Sequence, residues 1–303
     1  MTMNTPFRRW LVSFSVALVL VSYLAPGANA ERATSPWSVG LARRDITPQQ
    51  PIWLAGYASR NKPSEGVLAP LYANAMAIVD DQGHRGLLIT ADVIGFRKDV
   101  AEAAARAVME KTGLLREQIL FNWSHTHTGP VIGFLGSAGY SMGEEDQKVV
   151  DTYTRWLVTQ YADLAAEAFN NLKPARLAWG VGVTNILINR REFTETGVRL
   201  GVNPRGYVDR SVPVLTVRDE KDELRAVLFG CACHNTTLTG EHYIISGDYA
   251  GFARAYIEEK LPGTQALFMI GCGGDANPYP RGEIEHAKQH GQALGAEVCR
   301  VIA

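Results

Sequence analysis

The densest concentration of reactive side chains is Asn122-Trp-Ser-His125-Thr-His127-Thr-Gly-Pro130, a segment that follows an apolar run and ends in a Gly-Pro turn. Residues i and i+2 share a strand face, so His125 and His127 could converge on one metal ion, or one could ligate while the other contacts a substrate. The same two imidazoles could also simply be satisfied by backbone carbonyls. A second histidine, His234, ends the apolar run Ala226–Gly230 within Cys231-Ala-Cys-His234-Asn-Thr-Thr-Leu-Thr-Gly240. Two histidines at strand ends suggest one shared pocket. Zinc is commonly held by imidazole nitrogens with carboxylate or sulfur, and a catalytic site keeps one position open. His125 and His234 would supply part of such a set; a buried histidine in a hydrogen-bonded turn is the alternative for His234.

Two further segments carry chemistry-bearing residues. In Ser246-Gly-Asp248-Tyr-Ala-Gly-Phe252 a carboxylate opens a helical pattern, and helix capping accounts for it without a catalytic role. Gly271-Cys-Gly-Gly-Asp275-Ala-Asn277-Pro-Tyr-Pro280 is a glycine-dense loop whose backbone can approach a ligand closely, although it lacks phosphate-loop spacing. His84, His242, His286 and His290 are expected at the surface. Four cysteines, Cys231, Cys233, Cys272 and Cys299, are too few for a disulfide framework, and no CxxC pair occurs. Cys231 and Cys233 next to His234 leave a mixed Cys/His metal site as an alternative. Asn122-Trp-Ser and Asn235-Thr-Thr match the glycosylation sequon but fall inside the expected pocket, where a glycan would block it.

The elements that must position these residues alternate between strand and helix patterns. Arg85–Asp92 reads as a strand, Lys98–Lys111 as an Ala-rich helix stopped by Gly113, and Gln118–Ser124 as a strand. That is a βαβ unit, whose strands pair in parallel and whose ligands gather beyond the carboxyl ends, where Asp92 and His125 stand. Lys148–Leu172 predicts a long amphipathic helix, Ala175–Val183 a strand, and Val212–Val217 with Leu224–Phe229 a hairpin. Gly247–Leu261 predicts a helix, Gln265–Ile270 a buried strand and Ile284–Ile302 a final helix. The expected fold class is α/β: a layered mixed sheet with flanking helices and at least one parallel βαβ unit.

Composition agrees with a globular chain. Of 303 residues, 46% are hydrophobic and 20% charged, which excludes disorder and low complexity. With 30 Lys+Arg against 31 Asp+Glu there is no basic field to hold a phosphate backbone, so nucleic acid is not an expected partner. Residues 1–30 differ from the rest. Arg8 and Arg9 precede an apolar run from Leu11, and Ala28-Asn-Ala30 supplies a small-residue cleavage pattern, the pattern of a signal peptide and of an exported protein. The run is shorter than the roughly 20 residues of a spanning helix, so no stable membrane anchor is expected after cleavage. Residues 31–303 are then expected to form one α/β domain.

In their order, these segments resemble the amino-terminal domain of the neutral/alkaline, non-lysosomal ceramidase family. The likeness is carried by Val39-Gly-Leu-Ala-Arg-Arg-Asp-Ile-Thr47, Leu54-Ala-Gly-Tyr57, Thr90-Ala-Asp92, Ser124-His-Thr-His-Thr-Gly-Pro130 and Asn189-Arg190, then by the His234 segment, Ile245-Ser-Gly-Asp248 and Gly274-Asp275. Family members are zinc-dependent amidases that cleave the N-acyl bond of ceramide. The resemblance implies one zinc held by His125 and His234, with His127 as a substrate or oxyanion contact. Arg190 would face the substrate head group, and Tyr57 and Asp275 would bind substrate.

Two departures shape the expected function. The family loop reads Gly-Asp-x-Ser-Pro-Asn, whereas here Asn277 occupies the serine position in Gly274-Asp-Ala-Asn-Pro-Tyr279. An amide donates a hydrogen bond but cannot act as a nucleophile, which points to a different substrate. The family also takes a glutamate and a tyrosine ligand from sequence further downstream, so the metal site is expected to be incomplete within these residues. No GxSxG elbow supports a serine hydrolase. The expectation is an exported zinc-dependent hydrolase of an N-acyl amide or ester, small-molecule or lipid-like; the alternative is a non-catalytic ligand-binding domain of the same fold.

Overall fold

The computed structural model describes residues 36–136 and 140–303; the expected signal peptide lies outside them. Strands are β1 (Trp37–Asp45), β2 (Gly66–Val67), β3 (Tyr72–Asp80), β4 (Arg85–Ala91), β5 (Ile119–Trp123), β6 (Lys173–Val183), β7 (Leu187–Thr194), β8 (Gly197–Asn203), β9 (Ser211–Arg218), β10 (Leu224–Cys231), β11 (Ile244–Ile245), β12 (Gln265–Ile270) and β13 (Ala276–Pro278). Helices are α1 (Lys98–Thr112), α2 (Glu144–Asn170), α3 (Asp248–Lys260) and α4 (Ile284–Ile302).

Eight strands follow the order β12-β10-β9-β6-β1-β3-β4-β5. The β1–β6 pairing spans only Trp37–Val39, so the sheet divides into two halves at this joint. Side-chain alternation shows how the halves pack. In β3, Ala73, Ala75 and Ala77 join a core with α1 and α2, while Met76 and Ile78 point the other way. In β10, Val227, Phe229 and Cys231 pack under α3 and α4, while Ala226 and Leu228 point the other way. The opposite faces meet in a third core that includes Val39, Met76, Leu88, Val217, Ala226 and Leu267. β3 and β10 are thus apolar on both faces, as strands buried on both sides require. The edge strands β5 and β12 also meet: Asn122 donates to the Ile270 carbonyl at 3.1 Å and accepts from its amide at 2.9 Å.

The expected βαβ unit is β4-α1-β5, with Leu87–Ala91 parallel to Ile119–Trp123. A second, β10-α3-β12, pairs Ala226–Cys231 in parallel with Gln265–Ile270. The expected hairpin is antiparallel β9–β10. Gly113 ends α1 in the left-handed conformation at φ 68°, its amide donating to the Met109 carbonyl. Helix α2 begins at Glu144, before the apolar periodicity does, because Glu144, Glu145 and Asp146 favour the positive end of the helix dipole. A three-stranded sheet, β13-β7-β8, stands beside the second half and contributes to the site below.

Among the described residues no helix is long and apolar enough to cross a membrane. Of the histidines expected at the surface, His290 is buried at 7% exposure, its Nε2 bonded to the Pro280 carbonyl at 2.6 Å, because α4 turns that face onto the loop after β13. Gly40 is fixed by packing: a Cβ there would stand 1.8 Å from the Ala168 carbonyl oxygen at the end of α2. Gly40→Ala is therefore expected to cost about 1–3 kcal/mol, read as a lower urea midpoint at unchanged m. An unchanged midpoint would contradict this packing.

Candidate metal centre

The βαβ topology brings the ends of β5 and β10 to one side of the structure, and the backbone just beyond them sets the geometry. The Ser124 amide donates to the Ala91 carbonyl and the His125 amide to the Val93 carbonyl, so the chain leaving β5 hugs the chain leaving β4. His125 then takes the left-handed conformation, φ 58°, which is costly for a non-glycine residue and turns its ring out of the strand register. The expected shared strand face therefore does not bring His125 and His127 together. A turn does, with their ring centroids 5.0 Å apart. One residue further, Thr126 makes an isolated parallel bridge with Asn235, which carries the segment after β10 alongside.

His125, His127 and His234 present ring nitrogens that all lie within 4.8 Å of one another. The His125 Nδ1 lies 2.6 Å from the Ile94 carbonyl oxygen, and the His234 Nδ1 lies 2.9 Å from the Gly273 carbonyl oxygen. Carbonyls only accept, so each Nδ1 carries its hydrogen and each neutral ring keeps its lone pair on Nε2. Those two Nε2 atoms face each other at 3.0 Å. Burial, followed by the nearby Arg190 and His125 charges, pushes His234 down to about 4 against the opposing bond to Gly273, so it is neutral near pH 7. Two lone pairs so close call for a cation between them. Nδ1–H donated to a backbone carbonyl is also the usual support for a metal-ligating histidine.

His127 completes the group. Both its ring nitrogens are buried without a partner among the described residues. Burial, then the His125, His234, Arg60 and Arg190 charges, lowers it to about 3. The ring occupies space that only glycine at position 56 leaves free, since a Cβ there would stand 2.3 Å from the His127 Nδ1. Imidazole nitrogens gathered within 4.8 Å of one another suit zinc. The cysteines do not join them. Cys231 and Cys233 are buried free thiols, and burial pushes Cys231 up to about 12 and Cys233 well above its ordinary value, which keeps both protonated. Among the described residues the group that could hold a metal contains no cysteine, so the mixed Cys/His site is not formed.

A cavity of about 410 Å³ opens beside His127 and is lined by Tyr57, Arg190, Leu200, Asn277 and Arg281, among others. Asn277 reaches it through β13, which pairs antiparallel with β7 and places Asn277 opposite Ile188. The Asn277 Oδ1 accepts from Arg190 Nη1 and from Thr236 Oγ1, both at 3.2 Å, which leaves its Nδ2 hydrogens free to donate. Tyr57 stacks edge-on against His127 at 5.0 Å and donates its hydroxyl to the Leu238 carbonyl. Asp275 lies outside the lining, its exposed carboxylate paired with Arg191 Nε at 2.7 Å. A hollow of about 470 Å³ against Trp179 and Met269 is apolar and touches none of the three histidines.

Asp248, expected as a helix cap, is the first residue of α3 and fully buried at φ 50°. Its Oδ1 accepts from the Tyr249 amide in the first turn at 2.6 Å, and its Oδ2 accepts from the Leu238 amide at 2.8 Å. It thereby anchors the loop that carries His234. Gly273 supplies the same service from the other side, approaching so closely that a Cβ would stand 2.7 Å from the Cys233 carbonyl carbon. Two arginines escaped the sequence reading. Arg60 is buried and donates to the carbonyls of Ala55, His127 and His242, clamping the His127 backbone. Arg281 donates to the Thr236 carbonyl and the Tyr57 hydroxyl. Neither stands in a motif, so only their contacts reveal them. Both sequon asparagines are engaged, Asn122 with Ile270 and the fully buried Asn235 with Gly247 and Ala250.

Comparison with known proteins shows what this chain is similar to. Residues 37–284 match the family model described as neutral/alkaline non-lysosomal ceramidase, N-terminal. The chain is 26% identical over 272 residues to neutral ceramidase A of Dictyostelium discoideum, covering 82% of this chain and 37% of that protein. It is 25% identical over 280 residues to the neutral ceramidase of Pseudomonas aeruginosa, covering 88% of this chain and 40% of that one. The crystal structure of neutral ceramidase from Pseudomonas aeruginosa superposes with a TM-score of 0.71 at 20% identity, over 88% of this chain and 45% of that one, which shows a shared fold. The chain thus spans less than half the length of these relatives.

The neutral imidazoles give stability a definite pH dependence. Folded His127 titrates at about 3 rather than 6.5, so as pH falls below about 6.5 the unfolded chain takes up the proton first and native stability is lost progressively towards pH 3. Above pH 6.5 the contribution is fully present. In chelator-treated protein, His127→Gln is expected to flatten the slope of unfolding free energy between these limits. Equal slopes for the two proteins would refute the neutral assignment.

Proposed function

The chain belongs to the neutral/alkaline, non-lysosomal ceramidase family, and from that membership we propose that it is an exported, zinc-dependent hydrolase of N-acyl amides or esters. The observation that carries the reading is the pair of Nε2 atoms 3.0 Å apart on rings whose Nδ1 hydrogens are already committed to carbonyls. His125 and His234 would hold the metal. Zinc there supplies Lewis acidity, which acidifies water and polarises an acyl carbonyl.

The remaining steps belong to the chain's own side chains. His127 faces the cavity with one N–H to donate, and in this reading it binds the oxygen of the acyl carbonyl as negative charge develops on it. Asn277, held by Arg190 and Thr236 through its oxygen, offers Nδ2 hydrogens to the same region. An amide has no nucleophilic oxygen to contribute, so water is the attacking group: its oxygen bonds to the acyl carbon, the C–N bond breaks and a proton passes to the departing amine. Buried imidazoles that stay neutral near pH 7 keep their lone pairs available for a cation.

Export is supported by Arg8, Arg9, the apolar run after them and Ala28-Asn-Ala30. The substrate in this reading is a small or lipid-like amide, with ceramide one candidate.

Elemental analysis of the purified protein tests the centre. About one zinc per chain is expected, lost in His125→Ala and in His234→Ala while circular dichroism stays unchanged. His127→Gln should keep most of the metal yet lose roughly 10²–10³-fold in kcat towards an N-acyl amide, as removal of an oxyanion donor does. Wild-type protein that holds no metal, or that holds zinc and binds amides without turnover, would overturn the hydrolase reading.

A further inference from the structure

The cavity beside His127 is more specific than its size suggests. Among the described residues its charged lining groups are Arg190 and Arg281, and no carboxylate lines it. Both guanidiniums are held by neutral partners. Arg190 donates from Nε to the Gly274 carbonyl at 2.9 Å and from Nη1 to Asn277 Oδ1 at 3.2 Å. Arg281 donates from Nε to the Thr236 carbonyl and from Nη2 to the Tyr57 hydroxyl, both at 2.8 Å. Among the described residues Arg190 Nη2 and Arg281 Nη1 have no hydrogen-bond acceptor. Their neighbour Arg191, by contrast, is paired with Asp275.

The two guanidiniums share one anchor. Thr236 accepts from Arg281 at its carbonyl and donates from Oγ1 to Asn277 Oδ1, which also accepts from Arg190. Thr236 follows the ligand candidate His234 by two residues, so the cationic pair is tied to the metal centre by the same short segment. Burial and the charges of Arg191 and Arg281 lower Arg190 against the attraction of Asp275, as expected where like charges gather away from water. A positive, partly desolvated site with free donors in fixed forks is complementary to a planar anion. Ile188, Leu200, Val202 and Pro278 give the cavity an apolar wall.

We infer that the substrate of this site is an N-acyl amide whose amine portion bears a carboxylate, an N-acyl amino acid, with the carboxylate between Arg190 and Arg281 and the acyl chain against the apolar wall. The inference rests on the hydrolase reading above. The neutral diol head group of a ceramide offers hydrogen bonds but no charge to the free edges of Arg190 and Arg281, whereas a carboxylate offers both. Asn277 in place of the family serine belongs to the same design, since its oxygen is the acceptor that orients Arg190.

The test compares N-octanoylglycine with N-octanoylethanolamine, which share the acyl chain and amide and differ in a carboxylate against a hydroxymethyl group. Hydrolysis and calorimetric binding are measured on the wild type, Arg190→Gln, Arg281→Gln and Arg281→Lys. The acidic amide is expected to lead by at least about tenfold in kcat/KM and in affinity, a modest yield for charge-assisted hydrogen bonds. Each glutamine variant should bring that ratio close to one through a higher KM for the acid, and Arg281→Lys should keep part of it. Equal or better hydrolysis of the neutral amide by the wild type overturns the inference and leaves the hydrolase reading standing. If neither amide is cleaved, the hydrolase reading falls; tighter binding of the acid then sustains the carboxylate subsite between Arg190 and Arg281, and equal binding overturns that subsite too.

Discussion

The buried ion pair between Asp92 and Arg254 is the contact on which the arrangement of the two half-sheets turns. Asp92 directly follows β4, Arg254 lies on α3, and both side chains are only 4% exposed. The same Asp92 Oδ2 accepts from the Tyr72 amide at 2.9 Å, and the Asp92 amide donates to the Tyr72 carbonyl at 3.0 Å. One carboxylate therefore ties the start of β3, the end of β4 and the helix of the second βαβ unit. Breaking a buried pair on one side leaves an uncompensated charge and typically costs about 3–5 kcal/mol, far more than a surface bridge. The pair acts as a register pin rather than as a large net source of stability, because desolvating both charges offsets much of their attraction.

With that register set, the strand ends have little freedom. Val93, the next residue, holds the His125 amide, and Asn235 accepts from the His127 amide at 3.3 Å. Thr126 and Thr128 both donate to the Ser246 carbonyl, and Asn235 donates to the Gly247 carbonyl, so the two histidine segments and the entry to α3 form one hydrogen-bonded knot. Its donors and acceptors are buried threonine and asparagine side chains, which must be satisfied internally. The left-handed residues His125 and Asp248 sit at its two ends. Strain of that kind persists only where surrounding contacts over-determine the backbone, and it collects at functional sites. The knot is what holds two imidazoles with their lone pairs opposed.

Much of this was legible in the residues. Apolar runs of strand length, the Ala-rich helix stopped by Gly113 and the final helix Ile284–Ile302 follow from periodicity and local backbone preference, which act over a few residues and need no tertiary partner. The placement of His125 and His234 at strand ends was equally visible, because in βαβ units the carboxyl ends face one side. The β7–β8 hairpin was not, since Leu187–Asn203 mixes exposed apolar and charged positions without a clean alternation. Nor was the burial of His290, which depends on the loop after β13 coming to rest against α4.

The sequence by itself determined which residue types stand at the ends of which strands, and with them the family, the α/β class and the histidines available for a cation. Tertiary structure alone decided which atoms meet. The carbonyls that claim the His125 and His234 Nδ1 hydrogens belong to Ile94 and Gly273, 31 and 39 residues away in the chain, and the two rings themselves are 109 residues apart. Arg60 and Arg281 look like ordinary surface cations until the fold sets them against the His127 carbonyl and the Tyr57 hydroxyl. Local preferences are encoded one element at a time, whereas the tautomer of an imidazole or the free edge of a guanidinium is fixed by acceptors that arrive only when distant strands close on one another.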